Sequence, residues 1–238
     1  MKKHILLFTV FFHTLMIFAQ EEKPTEYPNF TGKTLAEIEK DKNWYVLEKA
    51  TGDLNKDGKD DVVIVIESKE DFIEIRCADC PTSLSKARIV LVFLCMNDTY
   101  KVHTQNNVFI PRSDEGGMSA MIAPDLSIAA NQLTIAQQYT RSDVRYVFEL
   151  QEDQFMIIFS ESNSVHAASG DTEICAFDFT KNEIVITKGN IANEEELGNE
   201  EEEGIKEKTT IIKFDKKPKS LSEFGIMYEW EIAEYRYL

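Results

Sequence analysis

Gly52-Asp53-Leu54-Asn55-Lys56-Asp57-Gly58-Lys59-Asp60-Asp61, followed at once by Val62-Val63-Ile64-Val65-Ile66, is the stretch on which the reading of this chain turns. The apolar half is wholly β-branched, which suits a buried strand. The polar half is made of turn formers and oxygen carriers. With Asp53 as loop position 1, oxygen side chains fall at positions 1, 3, 5 and 9 (Asp53, Asn55, Asp57, Asp61), and Gly58 stands at position 6. Lys59, at position 7, offers its backbone carbonyl. That spacing lets a short loop wrap a hard cation, because alternate side chains turn inward and the glycine permits the sharp bend. Asp53, Asp57, Asp60 and Asp61 otherwise crowd together, and two carboxylates about 4 Å apart repel by roughly 1 to 4 kcal/mol near a surface. A bound Ca²⁺ removes that cost. The expected ligands are Asp53, Asn55, Asp57, the Lys59 carbonyl and Asp61, with water completing the shell and the ion in a structural role.

Turns use Asp, Asn and Gly too, so a plain hairpin loop is the competing reading. The residue at position 12 narrows the loop type. An EF-hand or dockerin-type loop places a carboxylate there and runs on into a helix; here it is Ile64, inside the β-branched run. Upstream, Trp44 to Ala50 alternates and reads as a strand entering the loop. The element is therefore strand-loop-strand. In Asp53, Asn55, Asp57, Gly58 and Asp61, followed by an apolar strand, it resembles the calcium loops of the FG-GAP and VCBS repeat families. The upstream Phe-Gly signature of those repeats is absent and no second copy follows, so their propeller and adhesion functions are not implied. The order Trp44, Gly52 to Asp61, Arg88, Gly116-Gly117-Met118 and a meander from Leu133 to Phe159 is also similar to that of small exported proteins of Bacteroidetes-type bacteria, a resemblance that implies no particular activity.

Met1 to Ala19 reads as a signal peptide, with Lys2 and Lys3 ahead of the apolar run Ile5 to Phe18 and Ala19 at the cut. That run of 14 residues is shorter than the roughly 20 needed to span a bilayer. Export to the periplasm or beyond is expected, with no membrane span. Residues 20–238 are expected to form one β-rich domain. The full chain carries 26 basic and 42 acidic residues, a net charge of −16, and loss of Lys2 and Lys3 takes it to −18. Nucleic acid is a poor partner for such a chain. Cys77 and Cys80 read as a local disulfide or free thiols. Cys95 and Cys175 lie in apolar runs and read as core residues, paired or not.

The rest of the chain predicts a mainly β fold: an antiparallel meander or sandwich-like sheet with one or two short helices. Thr34-Leu35-Ala36-Glu37 is a capping box that starts a helix running to about Lys42. Ala87 to Met96 is an interior strand broken only by Arg88, and Asn97-Asp98 turns it back. Residues 68–86 read as irregular. Short strands follow at Asp125 to Ala129, Leu133 to Tyr139, Val144 to Gln151 and Phe155 to Glu161, then a hairpin over Glu173 to Lys188. Asn193 to Gly204 holds seven glutamates and no base, which predicts a solvated loop. Ser220 to Phe224 is a helical turn, and Tyr228 to Tyr237 is expected to close the chain as one strand.

No Gly-x-Ser-x-Gly elbow or phosphate-binding loop occurs. His166, in a loop, is the better histidine candidate for a serine hydrolase, ahead of His103. The sequence therefore points to an exported, non-catalytic calcium-binding protein that serves as a binding module for a protein or glycan. The alternative is a secreted hydrolase whose site the sequence does not reveal.

Overall fold

The computed structural model describes residues 23–76, 80–117, 119–191 and 207–238. The expected signal peptide and the glutamate-rich segment 193–204 lie outside the described residues.

The chain folds into antiparallel sheets. α1 (Leu35–Glu39) opens with the capping box: Glu37 accepts the Thr34 N–H at 2.7 Å, and Thr34 Oγ1 accepts the Glu37 N–H at 3.3 Å. It stops at Glu39, short of the expected Lys42. β1 (Trp44–Gly52), β2 (Asp61–Glu74), β3 (Ser83–Met96) and β4 (Thr99–Asn106) form a four-stranded sheet in chain order. β5 (Asp125–Ala129), β6 (Gln132–Gln138), β7 (Ser142–Gln151), β8 (Gln154–Val165), β9 (Asp171–Asp178), β10 (Glu183–Asn190) and β11 (Lys208–Lys213) form a seven-stranded meander. β12 (Glu231–Ala233) and β13 (Arg236–Tyr237) pair as a small hairpin.

The run Val62–Ile66 explains the layering. Val63 and Val65 join Val90, Val92 and Leu94 against Leu133, Ile135, Tyr146, Phe148 and Phe177 of the second sheet. Val62, Ile64 and Ile66 point the other way with Ile89, Leu91 and Phe93, under a lid of Phe30, Ile38 and Trp44. A strand buried on both faces reads as a continuous apolar run rather than an alternating one. Burying each such side chain is worth about 1.5 to 3 kcal/mol.

Three hairpins turn on consecutive left-handed residues: Asn97 and Asp98 (φ 50° and 59°), Ala130 and Asn131 (51° and 62°), Glu152 and Asp153 (45° and 69°). Two-residue loops of this kind match the twist of the strands they join.

Two expectations need correction. Residues 68–86 are mostly strand, since β2 runs to Glu74 and β3 starts at Ser83, with a bulge between Glu67 and Asp71. The C-terminal run is a folded-back hairpin, not one strand, because Tyr235 takes φ 58° and its N–H bonds to the Glu231 carboxylate. Leu238 and Trp230 then exchange both backbone hydrogen bonds at 2.9 Å.

The extended halves of β2 and β3 carry charges into the interior. Arg88 bonds Glu67 at 2.6 Å and the carbonyls of Pro111, Met121 and Ile122. Arg112 is fully buried; it bonds both oxygens of Glu74 at 3.2 Å and the carbonyls of Arg88, Ile110 and Asn107. These two arginines satisfy the backbone of the irregular segment between β4 and β5, which has no ladder of its own. Tyr27 completes the cluster against Arg112, and burial first of all pushes its phenol up to about 12. Cys80 is disulfide-bonded, while Cys95 and Cys175 are free and buried.

Candidate metal centre

The loop between β1 and β2 is built by nested side-chain-to-backbone bonds. Asp53 Oδ1 accepts the N–H groups of Lys56 (2.7 Å) and Asp57 (3.2 Å), and Oδ2 accepts that of Gly58 (2.9 Å). Asn55 Oδ1 accepts the Asp57 N–H at 3.0 Å, and Asp57 Oδ1 accepts the Lys59 N–H at 2.8 Å. Lys56 and Gly58 hold φ of 65° and 81° to make this possible. Asp, Asn and Gly are the residues that tolerate such local bonding and such φ.

Asp61 differs from its loop mates. It is fully buried, and its oxygens accept the N–H of Leu54 at 2.9 Å and of Cys95 at 2.8 Å. Burial raises its pKa; the N–H groups of Cys95, Leu54 and Asn55 oppose that rise, and the charge of Asp57 adds to it. Asp61 thus ties the loop entrance to the end of β3. Leu54, almost fully buried in the shared core, anchors the loop from the same side.

The loop also sits on the seam between the sheets. Asn131 Nδ2 donates to the Asp53 carbonyl at 2.8 Å. Lys56 Nζ reaches Glu149 of β7 at 3.0 Å, and Lys59 Nζ reaches Asp98 at 2.8 Å. Both lysines are therefore committed to acids outside the loop. Among the described residues, Asp53, Asp57, Asp60 and Asp61 have no ion-pair partner.

By residue type the donor set suits a hard cation, but among the described residues no three His, Cys, Asp or Glu side chains are gathered as a metal site. A carboxylate offers about four lone-pair sites and a carbonyl two. After the hydrogen bonds above, Asp53, Asn55, Asp57 and Asp61 each keep a lone pair, and the Lys59 carbonyl adds another. Five oxygens and water fall within the six to eight that Ca²⁺ takes. The expected ligands share one loop, Asp53, Asn55, Asp57 and Lys59 toward its exposed side and Asp61 beneath, with the carboxylates of Asp53, Asp57 and Asp61 each turned onto backbone N–H groups. Leu54, Asn131 and Glu149 also belong to the site, and the oxygen spacing of the motif does not point to them. Leu54, a lone apolar residue among polar ones, was the one available signal.

The histidine candidate is placed in an exposed turn. His166 Nδ1 lies 2.9 Å from Ser169 Oγ, and Ser169 donates its proton to Asp171 at 2.6 Å. His166 must then donate to the serine, the reverse of the general-base arrangement. A neighbouring groove of about 440 Å³, lined by Asp143, Asn163, Val165, Thr172 and Glu173 among others, does not take in His166. His103 bridges the two sheets instead, 3.0 Å from Asp153 and edge-on to Phe155.

Comparison with protein-family models, with curated proteins and with solved structures found no match.

Proposed function

We propose that this chain is an exported, non-catalytic binding protein whose Asp53–Asp61 loop takes one structural Ca²⁺, in the manner of a single FG-GAP- or VCBS-like loop. The observation that carries the reading is the unneutralised loop. Three acids (Asp53, Asp57 and Asp61) and an asparagine are held in place by backbone N–H groups, while both loop lysines are drawn off to Glu149 and Asp98. The ion, when bound, supplies positive charge to Asp53, Asn55, Asp57, the Lys59 carbonyl and Asp61. Because the loop spans the seam, that charge stiffens the joint between the two sheets. The signal-like stretch Met1 to Ala19 supports export to the periplasm or beyond. The partner class is a protein or a glycan.

Calorimetric titration of the mature chain tests the metal part. One ion per chain is expected, with a Kd of roughly 10⁻⁴ to 10⁻³ M because no bidentate glutamate closes the loop. Asp57→Ala should abolish the heat. Absence of binding by the wild type at millimolar Ca²⁺ removes the reading.

A further inference from the structure

Sheet edges are a hazard, because a row of unpaired N–H and C=O groups invites another strand. Among the described residues, the other edges are covered over at least part of their length. On β4, the Gly32 N–H bonds Val102 O and the Val102 N–H bonds Lys33 O, both at 2.9 Å. The far half of β2 is capped by Thr25, whose N–H bonds Ile73 O at 2.8 Å and whose Oγ1 accepts the Ile73 N–H at 3.0 Å. β1 and β5 lie against each other at the seam. β11 is the exception. It ends the seven-stranded sheet, and no described residue pairs with its outer side. Lys208 to Ile211 are exposed, and Ile211, 60% exposed, stands on the outer face beside Val185.

From β11 onward the local charge is the inverse of the chain's, with Glu207 just before it and Glu183 beside it. Lys208 to Lys219 contains five lysines and one aspartate in a protein of net charge −16. Lys213 is held by Glu183, but Lys208, Lys216 and Lys217 have no acidic partner among the described residues. A second copy is a poor occupant, since antiparallel self-pairing centred on β11 sets Lys208 opposite Lys213, and like charges directly opposite destabilise a pair.

We propose that the β11 edge accepts an extended acidic peptide segment of a protein partner as an eighth strand. Backbone bonds along this edge supply affinity, an acidic residue at one end of the segment meets Lys208, one at the other end exchanges with Glu183 for Lys213, and a β-branched residue packs beside Ile211. This names the partner class for the binding protein proposed above and rests on that reading. The competing account is that the lysines only guard the edge, and it requires that no peptide binds.

The test uses the isotope-labelled mature chain with Ca²⁺ and two synthetic peptides, Glu-Val-Thr-Val-Thr-Glu and Lys-Val-Thr-Val-Thr-Lys. The acidic peptide should shift and protect amides within 208–213, should bind about tenfold more tightly than the basic one, and should weaken with added salt. Lys208→Glu, on an exposed site that leaves the fold intact, should narrow that preference. No shifts at 208–213, equal binding of the two peptides, or concentration-dependent shifts without peptide would each overturn the proposal. If peptide binding fails while Ca²⁺ still raises the melting temperature, this inference falls alone.

Discussion

Gly52 and Ile128 meet where the two sheets close on each other. A Cβ added at Gly52 would lie 2.6 Å from Ile128 Cγ2 and 2.9 Å from its Cβ. Neither atom is the free end of a flexible chain, so the backbone would have to move. Gly52→Ala should destabilise the protein by about 1 to 3 kcal/mol, the scale of overpacking. Ile128→Ala in the same chain should recover part of that loss, and denaturant titration of the double-mutant cycle reads the coupling. Additive effects would show that the seam is not tight there.

Asp61 should matter without any metal. Its two oxygens hold two backbone N–H groups in the interior. Asp61→Asn turns one acceptor into a donor facing a donor. The expected loss, measured by denaturation in chelator, is about 2 kcal/mol, the value of a charge-assisted bond. Asp57→Ala is exposed and should cost far less under the same conditions, which separates the staple from the ligand.

Arg112 is the clearest buried charge. Its pairing with Glu74 and three carbonyls predicts that Arg112→Met, which leaves Glu74 only the longer contact with Arg76 at 3.9 Å, costs about 3 kcal/mol. Adding Glu74→Gln should restore part of it. Urea midpoints at low and high salt should differ little between variants, since the pair is shielded from solvent.

The C-terminal hairpin should contribute to acid stability. Burial raises the Glu173 pKa, but hydrogen bonds and charge from Arg236 and Lys188 outweigh it, so the net is below the ordinary value. A depressed folded pKa means stability that is present above the unfolded value, about 4.3, and lost as pH falls through the folded one. Arg236→Gln should flatten the fall in stability below that pH. The effect is small, about 0.5 kcal/mol, because the pair is partly exposed. An unchanged profile would show that Arg236 does not hold Glu173.

Most of the layering could be read in advance because it rests on local signals. The β-branched run Val62–Ile66, the capping box at Thr34 and Glu37, and the turn pair Asn97-Asp98 each carry their own physics. Residues 68–86 were misread for the opposite reason. Glu67 and Glu74 are buried, yet a hydropathy reading places polar residues outside. Their partners Arg88 and Arg112 lie far along the chain, so only the tertiary pairing makes burial affordable. The C-terminal run alternates well, and two left-handed residues, Tyr228 at its start and Tyr235 within it, break it. At the loop, the oxygen spacing was legible. Its docking through Leu54, Asn131 and Glu149 was not, since these contacts join distant segments.

The central claim is that the Asp53–Asp61 loop holds a structural Ca²⁺, and a thermal melt tests it most directly. The mature wild type and Asp57→Ala would be melted in chelator and in Ca²⁺ at ten times the measured Kd. The ion should stabilise the wild type by about 1.4 kcal/mol, a rise of a few degrees for a chain of this size, and should leave Asp57→Ala nearly unmoved. Coincident wild-type curves in Ca²⁺ and in chelator would contradict the claim.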